Sequence, residues 1–354
     1  MLENNTKIAL TQYAHGSGCG SKIDPSALKE IIHSRTKTPI NEKLIVGNGS
    51  NDDAAVYDLG NGRALIATTD FFMPIVDDAY DFGCIAAANA ISDVYAMGGK
   101  PTLALAILGW PINKLSTEIA NQVLEGARAV CLEAGIPLAG GHSIDTLEPM
   151  FGLSVNGLID ISQIKKNNSA NLNDLIFITK PIGVGVLSTA QKKQVLRPED
   201  EILLIKQLTQ LNFIGEKLAK INGVSAMTDV TGFGLIGHLI EMAEGSNLTA
   251  ELNYKSIPII ASLPYYISKS CIPDATYRNW NAYSNSICFS KNVDVAEAFT
   301  ILPDPQTNGG ILFSANPLCL KDIQELLIEN NLQNFIHPIG KMVKIEEKII
   351  RIEE

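Results

Sequence analysis

No two cysteines of this 354-residue sequence form a Cys-x-x-Cys pair, and the six present (Cys19, Cys84, Cys131, Cys271, Cys288 and Cys319) follow no regular spacing. That scatter argues against a disulfide framework and a structural zinc site. No uninterrupted apolar run approaches the length of a membrane span. The first seven residues, Met1 to Lys7, lack the basic start and apolar stretch of a signal peptide, so a cytoplasmic protein is expected. Basic charge is scarce as well. The net charge is −10, and the densest basic piece is only Gln191-Lys192-Lys193. Nucleic acid, whose phosphates call for a basic surface, is therefore not an expected partner, and neither is a membrane. An acidic chain that binds a polyphosphate is expected to hold it through metal ions.

The common nucleotide signatures are missing too. Gly16-Ser17-Gly18-Cys19-Gly20-Ser21-Lys22 superficially suggests a phosphate loop, but the order Gly-x4-Gly-Lys-Ser/Thr is not met. No Gly-x-Gly-x-x-Gly stands between a strand and a helix with an acidic residue at Rossmann spacing. There is no Gly-x-Ser-x-Gly elbow and no His-Glu-x-x-His. A nucleotide bound here would occupy a less familiar fold.

What the sequence does contain is a globular composition, 46% hydrophobic and 19% charged, on a chain long enough for two domains. Near its start, Cys19 stands between Gly18 and Gly20, with His15 four residues before and Lys22 three residues after. The glycines let the backbone approach a ligand closely. Lys22 is placed to favour the thiolate, the nucleophilic form. A loose N-terminal segment carrying a cysteine by accident would read the same locally. Cys84 and Cys131, in apolar helical contexts, read as buried small hydrophobes.

Taken in order, a short helix is expected from Pro25 to His33, with Asp24 as its N-cap. Leu44–Val46, Ala54–Tyr57 and Ala64–Thr69 are strand-like, the last ending in Asp70. Tyr80–Met97 reads as a helix stopped by Gly98-Gly99. It is apolar nearly all round, with Asn89 and Asp93 sharing one face at i and i+4. A buried carboxylate is costly unless it is paired or bound to metal. Further strands are expected at 103–108 and 151–158, and another from Leu138 that runs into a Gly-Gly turn at Gly140-Gly141, whose amides suit an anion. The polar segment Ile161–Asn173 reads as a domain boundary. Beyond it, a strand ends in Asp229, a glycine turn follows, and a helix runs from Leu235 to Ala243. His238 in that helix reads as a packing residue. Gly309-Gly310, before a last strand-like run, parallels Gly140-Gly141. The expected architecture is α/β in two domains, an N-terminal one over 48–165 and a C-terminal one over 166–354, preceded by a flexible segment over 1–47.

Four aspartates, Asp53, Asp70, Asp93 and Asp229, thus fall in turns, at strand ends or on a buried helix. Mg²⁺ prefers oxygen ligands and combines a few carboxylates with substrate phosphates. Each aspartate alone is an ordinary turn or cap residue, and the group is more specific than its members.

Thirteen residues, Leu10 to Lys22, resemble the N-terminal signature of the selenophosphate synthetase family. Thr68–Pro74, Asn89–Gly99, Ala139–Ser143 and Met227–Gly234 follow in that family's order. The resemblance runs from about Lys7 to Gly310. It implies the two-domain α/β (α+β) fold shared with aminoimidazole ribonucleotide synthetase, each domain a mixed sheet covered by helices. It also implies synthesis of selenophosphate from ATP, selenide and water, with AMP and orthophosphate released, by a homodimer that a selenium-delivery protein could serve. By resemblance, Cys19 and Lys22 are catalytic. Lys22, Ser50, Asn51, Asp52, Asp70, Asp93, Gly141, His142 and Ser143 contact ATP. Asp53, Asp93 and Asp229 bind Mg²⁺, and a monovalent cation such as K⁺ is a further candidate.

The chain departs from the family in two places. Ser21 stands where some relatives carry a second cysteine, so a local dithiol is not available. Asn308 replaces a serine common in the late Gly-Gly turn. Two alternatives stay open: a kinase or ligase of the same fold acting on a nitrogenous substrate, and a non-enzymatic selenium or thiol carrier.

Overall fold

A computed structural model describes residues 8–23, 30–31, 41–47 and 52–354. The helix expected over 25–33 falls mostly outside them, as do Ser50 and Asn51.

The N-terminal half is built on β1 (Leu44–Val46), β2 (Ala55–Gly60), β3 (Arg63–Phe72), β4 (Lys100–Trp110), β5 (Leu138–Asp145) and β6 (Met150–Asp160). The strands lie in the order β1-β2-β3-β6-β4-β5. All pairings are antiparallel except β4 with β5, which is parallel. Helices α1 (Ala79–Ala96) and α2 (Thr117–Glu133) join them. Asp78 caps α1 by accepting from the Asp81 N–H, and α1 ends where Gly98 turns with φ +82°.

The C-terminal half begins with β7 (Leu175–Ile178), α3 (Val184–Lys192), α4 (Pro198–Thr209), α5 (Ile214–Leu218), β8 (Val224–Asp229), α6 (Gly234–Gly245) and β9 (Leu248–Asn253). It continues through α7 (Leu263–Ser268), α8 (Asp274–Tyr283), β10 (Ile287–Phe289), α9 (Val295–Ile301), β11 (Ile311–Ala315), α10 (Leu320–Glu329), β12 (Gly340–Lys344) and β13 (Ile350–Glu353). Its sheet runs β10-β13-β9-β12-β7-β11-β8. β13 pairs parallel with β10 and β9, and the other pairings are antiparallel. Both halves are mixed sheets covered by helices, as expected. Among the described residues, no helix is long and apolar enough to cross a membrane.

The pattern of α1 has a structural cause. One side packs on β3, β6 and α2, and the other meets α4, α5 and β8 of the C-terminal half. A helix with neighbours on both sides has no wet face, so Phe82, Ile85, Ile91, Val94 and Tyr95 are all buried. Each such side chain contributes about 1.5–3 kcal/mol on burial. Polar groups cross the same seam. Asn212 Nδ2 donates to Ser92 Oγ at 2.8 Å, and the Asn308 N–H donates to Asn89 Oδ1 at 2.7 Å. Cys84 and Cys131 are buried as read from the sequence.

Two local expectations need correction. Asp70 does not end its strand; β3 continues to Phe72, because Phe71 and Phe72 extend the pairing with β6. Gly140-Gly141 does not form a turn either. The pair lies inside β5, where the ladder with β4 carries on to Asp145.

Candidate active site

The seam between the halves gathers the aspartates. β3 presents Thr68 and Asp70, and α1 faces them with Asn89 and Asp93. Thr68 Oγ1 donates to Asp93 Oδ2, and Asn89 Nδ2 donates to Asp70 Oδ2 at 2.6 Å. From the other half, Thr228 Oγ1 on β8 donates to Asp53 Oδ1 at 2.9 Å. The next residue is Asp229, at the end of its strand as read from the sequence. Asp52 accepts the Asn167 N–H at 2.7 Å and so pins the start of β2 to the segment that joins the halves.

Crowding marks these carboxylates electrostatically. Burial, then Asp229 and Asp93, push the Asp53 carboxyl well above its ordinary range. Burial, then Asp229 and Asp70, do the same to Asp93. Asp229 is raised to about 6 by burial, with Ser92, Lys22 and Lys180 pulling the other way. Like charges deprived of water favour the neutral form unless a cation joins them. Two buried oxygens, Asp53 Oδ2 and Asp229 Oδ2, have no hydrogen-bond partner among the described residues. That donor set, hard oxygen ligands with spare lone pairs, fits Mg²⁺. Among the described residues, no three acidic, histidine or cysteine side chains converge into a ready cage.

The cysteine loop docks onto this cluster. Residues Gly18–Ser21 form a single 3-10 turn. The Gly18 N–H donates to the Met73 carbonyl at 3.1 Å, and the Cys19 N–H donates to Thr307 Oγ1 at 3.0 Å. The thiol is 1% exposed and points to Asn89 Oδ1 at 3.3 Å. Asn89 thereby touches Cys19, Asp70 and the late Gly-Gly turn at once. Gly232 permits the approach, since a Cβ there would lie 2.5 Å from the Cys19 carbonyl oxygen. Lys22 Nζ reaches Thr231 Oγ1 at 3.4 Å and lies 5.9 Å from the centre of the Phe233 ring.

Lys22 pulls the thiol toward the thiolate, as the sequence reading expects, but in this arrangement that pull is outweighed. Burial and then Asp70 raise the Cys19 pKa well above the usual thiol value, and the opposing pull of Lys22 is smaller. Lys22 itself keeps solvent contact. Partial desolvation of its ammonium is outweighed by the acids, Asp70 foremost, which raise its proton affinity. His15 lies away from the thiol and bonds Glu148 Oε2 through Nδ1 at 2.8 Å.

Gly141, His142 and Ser143 are not brought to the carboxylates of their own chain. Asp70, Leu153, Ala106 and Gly141 stand in one row across β3, β6, β4 and β5. Three strand spacings separate the ends of that row, roughly 14 Å. His238, read as a packing residue, is buried and accepts the Thr231 N–H at Nε2, 3.1 Å away. Thr68, Ser92 and Thr228 lie within the stretches that carry the family resemblance but are not singled out there, and Thr307 lies in none of those stretches.

The AIR synthase related protein N-terminal domain matches residues 51–159, and its C-terminal domain matches 173–352. The "Selenide, water dikinase" of Colwellia psychrerythraea is 51% identical over 339 residues, 96% of each chain. That of Pseudomonas putida is 49% identical over 345 residues, 98% of each. The chain belongs to the selenide, water dikinase family. Solved structures agree on the fold. A ThiL protein complexed with AMPPCP and TMP matches with TM-score 0.65 and 18% identity, covering 92% of this chain and 91% of that one. Hydrogenase maturation protein HypE in complex with ATP matches with TM-score 0.64 and 18% identity, covering 88% and 87%. At such identity these neighbours speak for architecture alone, whereas the dikinase relatives match almost from end to end.

Proposed function

We infer that this chain is a selenide, water dikinase that makes selenophosphate from ATP, selenide and water, releasing AMP and orthophosphate. One observation carries the residue-level reading: Cys19 and Lys22 dock beside the seam aspartates, Asp70 foremost, with Asn89 touching thiol, carboxylate and turn together. Neither a nitrogen-directed kinase of this fold nor a passive carrier accounts for a thiol set against such a cluster.

Asp53, Asp93 and Asp229 would hold Mg²⁺, which when bound supplies charge neutralisation for the triphosphate. Phosphoryl transfer depends mainly on positioning and charge stabilisation, and this chain's residues provide both. Lys22 places a point charge beside Asp70 and the transferred group. Asn89 and Thr307 orient the cysteine loop, and the small exposure of Cys19 keeps water from the reacting centre. Cys19 holds or delivers the selenium. With its thiol held protonated as docked, ionisation accompanies movement of the loop or neutralisation of Asp70. The cysteine loop acts as the closing element over domains at 48–165 and 166–354.

Asp52 and Asp70 belong to the nucleotide contacts in this proposal, with Ser50 and Asn51 beside them in sequence. Gly141, His142 and Ser143 would contribute across three strands or from a second copy of the chain. A homodimer suits the exposed face of the N-terminal sheet, where Phe71, Leu105 and Ile144 are all open to solvent. A K⁺ requirement, a selenium-delivery protein and a cytoplasmic location complete the proposal.

The test is AMP formation from ATP with selenide supplied. Cys19→Ser and Lys22→Met are each expected to lose at least a hundredfold in turnover while melting like the parent, and chelation of divalent metal is expected to stop the reaction. Parent-like activity in Cys19→Ser would remove the thiol from the mechanism.

A further inference from the structure

A cavity of about 470 Å³ opens beside the cysteine loop, and none of the four site aspartates lines it. The loop gives it Gly16, Ser17 and Gly20; α3 and the residue after it give Lys192 and Lys193; α8 gives Arg278. Among the described lining residues, three permanent cations face one carboxylate, Asp274. On a chain of net charge −10 this is a local inversion of sign. Among the described residues, each cation hydrogen-bonds main-chain carbonyls rather than a carboxylate: Lys192 those of Ala14 and His15, Lys193 that of Ser270, and Arg278 that of Gly20 at 2.6 Å. Their charge is therefore left for a ligand.

The cavity leads toward the thiol. Gly20, Ala275 and Arg278 line both it and a narrow gap bounded by Cys19, Lys22 and Phe233. Thr307, which fixes the Cys19 amide, lines the large cavity as well. Selenide near neutral pH is a small monoanion. It would be repelled by most of this acidic surface and attracted here.

We propose that this cavity, which none of the four site aspartates lines, is the entrance by which anionic selenium reaches Cys19, guided by Lys192, Lys193 and Arg278. The inference rests on the dikinase reading above. The space is far larger than one selenium atom, so it works as a funnel that concentrates the anion rather than as a fitted pocket. A cleft lined by one sign of charge raises encounter rates by about 10- to 1,000-fold, in a salt-dependent way.

Lys193 offers the cleanest test, because its own bond goes to Ser270 and not to the cysteine loop. Sodium selenide is varied at saturating ATP, and ATP at saturating selenide. Lys193→Glu is expected to lower kcat/KM for selenide about tenfold while the KM for ATP stays as in the parent; Lys193→Arg restores it. In the parent, kcat/KM for selenide falls as ionic strength rises, and in Lys193→Glu that dependence flattens. An unchanged selenide kcat/KM in Lys193→Glu, or equal rises in KM for both substrates, overturns the entrance and leaves the dikinase reading intact. A parent without selenide-dependent turnover overturns that reading and the entrance with it.

Discussion

Gly140-Gly141 lies within β5 at the outer edge of the N-terminal sheet, where every residue from Ala139 to Asp145 is exposed. Gly309-Gly310 leads into β11, between β7 and β8, where every residue from Ile301 to Ala315 is buried. The two pairs look alike in sequence. In the late one, a Cβ on Gly309 would lie 2.2 Å from the Val230 carbonyl oxygen, and one on Gly310 would lie 2.4 Å from the Lys180 amide nitrogen. Thr307 and Asn308, just before it, hold Cys19 and Asn89 in place. Asn308 adopts φ +46° and donates through Nδ2 to the Leu208 and Gln210 carbonyls, so it is built into the turn. The early pair sits instead on an open edge far along the sheet from the carboxylates. A glycine pair acquires its role from what packs against it.

The comparison can be broken at several points. Gly310→Ala should destabilise the fold by about 3 kcal/mol or more, because the obstructing atom is backbone and cannot swing away; urea titration reads this directly. Next comes the buried carboxyl of the same turn. Burial raises Asp304 to about 8, against hydrogen bonds from Gln306 and the Gly185 and Val186 amides. In the unfolded chain it titrates near 4. Between those values the native state binds more protons than the unfolded one, so its contribution to stability is full below about pH 4 and is lost as pH rises to about 8. Asp304→Asn should flatten that slope in denaturation curves measured at pH 5 and pH 8; an unchanged slope would assign it to other groups.

Thr307→Val has a smaller effect, as it leaves the buried Cys19 N–H without an acceptor. A loss of about 1–2 kcal/mol in stability is expected, together with a fall in selenide turnover that Thr307→Ser recovers. Gly140→Ala should be mildest, near 1 kcal/mol. Its φ of +148° strains any L side chain, but the nearest atom to a new Cβ is Leu105 Cδ2 at 3.9 Å. A cost at Gly140 equal to that at Gly310 would erase the distinction.

Much of this arrangement was legible in the sequence. The order of strands and helices, the all-apolar α1 with Asp93 on it, and Asp229 at the end of β8 follow from local pattern. Hydrophobic runs and glycine stops report the immediate chain, so they locate elements well. They did not reveal that β3 and β5 run on past Asp70 and Gly141, because strand ends depend on the partner strand. Nor could they show that Thr307, 288 residues away, binds the Cys19 amide. The buried state of the thiol was hidden for the same reason. A cysteine between glycines reads as open until the other half of the molecule closes over it.

The most direct measurement is phosphorus NMR of the products formed from ATP with and without selenide. The account expects a phosphorus–selenium species to appear together with AMP and orthophosphate, only when selenide is present, and to vanish in Cys19→Ser. Consumption of ATP at the same rate without selenide, and no phosphorus–selenium signal with it, would contradict the account.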